Sequence, residues 1–134
     1  MKIVSMCVAV LAAIVAAGDG RGVPVLNEKT GFYECKLPSE FQARPATVEI
    51  LLPTKMDPEK KYPVVYILPV GGASKRGYGD GLVEAKKADV ANKYDVICVS
   101  PYFTEIPWFG NHATKKTVRQ EDHILNVLVP FIDE

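Results

Sequence analysis

An α/β fold is what this sequence predicts, and three features predict it. Two alternating runs come first, then two continuous β-branched runs around a glycine-rich loop and a helical pattern, and then an amphipathic stretch. In order they give antiparallel edge strands, a βαβ unit and a following helix.

The front of the chain is different in kind. Lys2 is followed by an apolar run over Ile3 to Ala17, interrupted only by Ser5 and Cys7, and then by Gly18. A positive start, a short apolar core and small residues before a break describe a secretory signal peptide over residues 1–17. The run falls short of the roughly 20 apolar residues that span a bilayer. Residues 18–30 read as a leader, glycine-rich at its start, and 31–134 as the folded part, for which a secreted or periplasmic location is expected.

Residues 31–37 (GFYECKL) and 46–53 (ATVEILLP) read as strands, the second alternating Val48 and Ile50 with Thr47 and Glu49. Pro38, Ser39 and Pro45 supply turn chemistry between them, so an antiparallel pair at one sheet edge is expected. Met56 to Lys61 is a polar turn. The apolar run from Tyr62 to Leu68 has the composition of a strand buried on both faces. After the glycine-rich loop from Pro69 to Asp80, residues 82–92 carry a helical pattern through Leu82, Val83, Ala85, Ala88 and Ala91. Val96 to Val99 is a second buried run, so a parallel pair joined by a right-handed crossover is expected.

An aromatic loop from Pro101 to Thr114 contains Tyr102, Phe103, Trp108 and Phe109. Thr117 and Gln120 have the spacing of a capping box for an amphipathic helix marked by Val118, Ile124, Leu125 and Leu128. Pro130 lacks the amide that a helix interior uses, so the helix should end or kink near Leu128.

Composition narrows the function. Sixteen basic residues balance sixteen acidic ones, leaving no net field for nucleic acid or an anionic membrane, and neither is an expected partner once the signal is removed. There is no C-x-x-C, H-E-x-x-H or other zinc spacing. The glycine-rich loop departs from both nucleotide templates: Tyr78-Gly79 stands where the phosphate loop needs Lys and Ser or Thr, and 77–81 is not G-x-G-x-x-G. No metal or cofactor is therefore expected. Cys35 and Cys98 lie in strand-like runs and read as free buried thiols, although an oxidising destination would permit a disulfide.

The pieces YPVVYILPVGG (62–72), YDVICVSP (94–101), PWFGN (107–111) and RQEDHILNVLVPFIDE (119–134) together resemble the esterase D and feruloyl-esterase branch of the α/β-hydrolases. The resemblance covers roughly 62–134. It implies the N-terminal part of an α/β-hydrolase sheet, incomplete within these residues, and a secreted carboxylic-ester hydrolase acting on a small-molecule ester in the complete protein. The family's His-Gly-Gly after the third strand falls on Pro69, Val70 and Gly71, so backbone amides at Gly71 and Gly72 are the candidate oxyanion hole. Trp108 and Phe109, with Tyr102, are the candidate substrate-binding residues.

No G-x-S-x-G occurs. The serines past residue 17 are Ser39, Ser74 and Ser100, none in an elbow, and the sequence supports no triad from His112 or His123. His123, Glu121 and Asp122 read as a solvated helix face. The resemblance also puts the third strand between the fourth and a fifth not present here. Val64 to Leu68 should then have one open edge through which the chain self-associates. The alternatives are a small secreted ligand- or glycan-binding domain using Tyr102, Trp108 and Phe109, and a fragment complementing a separate second half.

Overall fold

The computed structural model describes residues 22–68, 79–105 and 109–134. The signal-like run, Gly71, Gly72 and Trp108 lie outside these residues. A mixed five-stranded sheet is covered by helices on both faces, and its order is β1-β2-β3-β5-β4. Strand β1 is Val25–Asn27, β2 is Phe32–Leu37, β3 is Ala46–Leu51, β4 is Val64–Tyr66 and β5 is Ile97–Tyr102. β1, β2, β3 and β5 are antiparallel in succession, and β4 is parallel to β5.

The antiparallel pair is therefore present as β2 and β3, but the edge beside it is taken by β1, from the segment read as leader. A tight loop makes this hairpin: the Gly31 amide donates to the Asn27 carbonyl at 2.7 Å, and Gly31 has φ of 74°. Only glycine takes that left-handed conformation at low cost. The Asn27 side chain receives the Lys29 amide at 3.0 Å and donates to Glu34 at 2.8 Å, fixing the turn to the strand that follows.

Strand periodicity sorts side chains onto two faces. Cys35, Leu37, Val48, Ile50 and Val99 face Leu128 and Phe131 of the terminal helix. Phe32, Leu51 and Cys98 face Leu82, Ala85, Ala91 and Val96 on the other side. The second face is apolar for one row only. Cross-strand register then runs Glu34, Glu49, Ser100, and next Lys36, Thr47, Tyr102, so this part of the sheet is polar.

β4 departs from the expected double burial. It is three residues long and last in the sheet, and Val65 is 41% exposed. No described strand lies beyond it, so an apolar composition does not secure burial here. The Ile97 amide donates to the Pro63 carbonyl at 2.9 Å and the Ile67 amide to the Val99 carbonyl at 2.8 Å. Parallel bonding alternates along a strand, so Val64 and Tyr66 direct their amides and carbonyls to the outer edge.

Two helices replace the single one read over 82–92: α1 is Gly81–Lys87 and α2 is Val90–Tyr94. The break is at Asp89, whose φ of 56° is left-handed and interrupts the helical ladder. Asp80 caps α1, accepting the Leu82 amide at 3.0 Å and the Val83 amide at 3.4 Å.

The terminal helix is α3 Gln120–His123, a π segment Ile124–Leu128 and α4 Val129–Asp133. Arg119 occupies its N-cap without a side-chain bond, so the expected capping box does not form. Gln120 turns inward instead and donates to the Glu105 carbonyl at 2.8 Å. The Val129 amide reaches the Ile124 carbonyl, five residues back. Such a wide turn takes up the amide that Pro130 lacks and the bulk of its ring, so the helix continues past Pro130. None of the helices among the described residues is long and apolar enough to cross a membrane.

Candidate functional site

Ligand crevices of open α/β sheets lie at the carboxyl ends of the parallel strands. At that end of β5 an open groove of about 460 Å³ is bordered by Lys36, Gln42, Arg44, Thr47, Tyr102 and Phe103. Its bordering cations are Lys36 and Arg44, and the Lys36 amine contacts the Thr47 hydroxyl at 2.5 Å. No acidic side chain borders the groove among the described residues.

Tyr102 stands in this groove as a buried side chain. Its hydroxyl donates to Asp80 at 3.3 Å, the carboxylate that caps α1. The residue read as a substrate contact thus ties the end of β5 to the start of α1. Ser100 does the same for β4, donating to the Ile67 carbonyl at 2.9 Å.

Phe103 is buried between two rings. Phe109 meets it edge to face at 6.4 Å, and His123 does so at 5.6 Å and 88°. Phe109, also read as a substrate contact, is half-buried and packs over the sheet end.

His123 overturns the expectation of a solvated face. It has no exposed surface, and burial holds its pKa down to about 4. Its Nδ1 is 2.7 Å from Ser39 Oγ. A hydroxyl against an imidazole is the arrangement of a nucleophile and its base. Two features speak against catalysis by this pair. The ring is sealed from solvent at neutral charge, and its Nε2 is buried with no hydrogen-bond partner among the described residues, so no carboxylate orients it.

The other polar residues of the helix start are engaged locally. Asp122 accepts from Arg119 Nε at 2.5 Å and from Asn111 Nδ2 at 3.1 Å; the Arg119 bond, then the Asn111 bond, hold its carboxyl below the usual range. Asn111 Oδ1 in turn receives the Asp122 amide at 3.2 Å. His112 Nδ1 accepts the amides of Thr114 at 3.2 Å and Lys115 at 3.1 Å, a local turn. The aromatic loop is pinned at its far end, where the Ala43 amide reaches the Thr117 carbonyl at 3.0 Å and the Arg119 amide reaches Phe41 at 3.1 Å.

The described residues therefore bring Phe103 and Phe109 together, tie Tyr102 to Asp80 instead, and form no triad. Sequence reading missed Ser39 and His123 as partners. Their separation of 84 positions gives no local signal.

Cys35 and Cys98 are free and buried, as expected, and burial pushes the Cys35 thiol up to about 11. No cluster of three or more His, Cys, Asp or Glu among the described residues is placed to hold a metal. No family model, curated protein or solved structure matches the chain.

Proposed function

We propose that these residues form the N-terminal part of a secreted carboxylic-ester hydrolase, with an α/β-hydrolase sheet whose nucleophile comes from polypeptide outside the 134 residues. The observation that carries the reading is the strand arrangement. β3 runs antiparallel to β5, β4 is parallel to β5 at the outside, and the glycine-rich segment follows β4. On this reading the ester's developing oxyanion is bound by main-chain amides of Gly71 and Gly72, the residues on which the family resemblance puts that role. A serine from the missing part would attack the ester carbonyl, with a histidine from the same part as general base.

Ser39 and His123 are not that serine and histidine, because the ring that would take the proton is buried and without an orienting partner. The 134-residue chain alone is therefore expected to leave p-nitrophenyl acetate unhydrolysed. Turnover that a serine-directed phosphonate abolishes in the purified chain, and that Ser39→Ala also abolishes, would overturn this. The complement to the test is the intact mass of the protein recovered outside the producing cell: a mass well above 14.7 kDa supports a longer enzyme.

A second reading, a fragment completed by a separate second half, draws support from β4. The outward amides and carbonyls of Val64 and Tyr66 offer a partner strand a template. The glycan-binding reading is weakened by Tyr102, whose ring is buried and whose hydroxyl is bonded to Asp80.

A further inference from the structure

His123 is held from three sides. Ser39, on the loop after β2, contacts Nδ1 at 2.7 Å, Phe103 stands edge-on beyond β5 at 5.6 Å, and the backbone is the first turn of the terminal helix. The Phe41 amide donates to Ser39 Oγ at 3.3 Å and leaves the hydroxyl able to donate its own proton to Nδ1 or to accept one from it. In either neutral tautomer Nδ1 is paired with Ser39.

Among the described residues nothing pairs with a charged ring. Charged side chains on the neighbouring segments are Glu40 on the loop and Glu105 beyond Phe103; on its own helix they are Arg119, Glu121 and Asp122. None of them forms an ion pair with His123 among the described residues, and Asp122 is engaged by Arg119 and Asn111. Nε2 has no hydrogen-bond partner among the described residues. A second proton would add an unpaired buried charge, a cost the fold escapes by letting the ring reach water.

We propose that the Ser39–His123 contact is an acid-released latch, which fastens the helix over residues 120–133 to the loop after β2 while the imidazole is neutral and frees it on protonation. The proton comes from solvent and is taken up at the ring nitrogen that the neutral form leaves without one. Both nitrogens then carry protons, and no bond between heavy atoms changes. Release uncovers Leu128 and Phe131, which are fully buried against β2, β3 and β5 when the helix is docked. The inference does not depend on the ester-hydrolase reading.

The sign follows from the two protonation states. Burial lowers the docked pKa from 6.5 to about 4. Between those values the released state binds more protons than the docked state. The contribution of the latch is complete above about pH 6.5, falls as pH drops through that value, and is exhausted near pH 4. One proton gives at most about a tenfold change in the docked-to-released ratio per pH unit.

The test is amide hydrogen exchange of the full chain followed between about pH 7.5 and about pH 4.5, read as protection factors so that intrinsic exchange rates cancel. Protection of the amides of 124–133 is expected to fall by up to about tenfold per pH unit below about pH 6.5, before β2, β3 and β5 lose theirs. His123→Phe, of similar size and without a proton to gain, should show no such slope. The same slope in His123→Phe would overturn the latch. Should that variant fail to fold, the His123 imidazole resonance in the unaltered chain decides. A midpoint well below 6.5 sustains the proposal, and a midpoint at or above 6.5 overturns it.

Discussion

Cys35 illustrates how a residue's neighbours set its chemistry. On β2 its side chain lies among Leu37, Val48, Ile50 and Phe131, and a thiolate there would lose its hydration without gaining a cation. Its pKa is accordingly pushed up to about 11, and burial raises that of Cys98 as well. Since the thiolate is the reactive form, both cysteines should resist a maleimide at about pH 8 in the folded chain and react together on unfolding. Rapid labelling of either one without unfolding would show that its burial is not maintained. The composition of the strand runs was enough to anticipate this. His123 was opaque for the opposite reason: its sequence neighbours Glu121 and Asp122 are charged, while the groups that enclose it, Ser39 and Phe103, come from distant segments.

Among the elements, departures from regularity decided what could be read. β2 and β3 lie where their patterns predict, with Val48 and Ile50 on the face of the terminal helix and Phe32 and Leu51 buried on the other. The terminal helix does not keep one period. Its buried positions Gln120, His123, Leu128 and Phe131 step by three, five and three residues, and the step of five falls on the π segment. A reading at 3.6 residues per turn therefore selects Leu125, which is exposed, and passes over His123. The break between α1 and α2 is equally silent, since Asp89 reaches φ of 56° without a glycine or proline nearby to announce it. Asp tolerates that conformation better than alanine, and glycine better than either. Asp89→Ala should therefore melt below Asp89→Gly, by about 1 kcal/mol in unfolding free energy. Equal stabilities would mean that the left-handed residue is not what separates the two helices.

At the scale of the whole molecule, β4 is the last strand of the sheet among the described residues. Apolar composition reads Val64 to Leu68 as a strand buried on both faces; among the described residues β4 is instead the outermost strand, with Val65 and Leu68 each 41% exposed. Short length limits the hazard of such an edge, but β4 carries no lysine or proline within its three residues to block pairing. A second copy can align antiparallel to it, because the outward groups of Val64 and Tyr66 supply both donors and acceptors. Self-association through β4 should therefore appear as a concentration-dependent rise in sedimentation coefficient. Val65→Lys should suppress it, placing like charges together across any edge-to-edge pair while adding its side chain where solvent already reaches. Because Val65 belongs to neither core cluster, the substitution should leave the unfolding free energy within about 0.5 kcal/mol of the parent chain's. Association undiminished in Val65→Lys would move the contact to another surface. A parent chain that melts cooperatively as a monomer at every concentration would mean that the exposed β4 edge does not drive association.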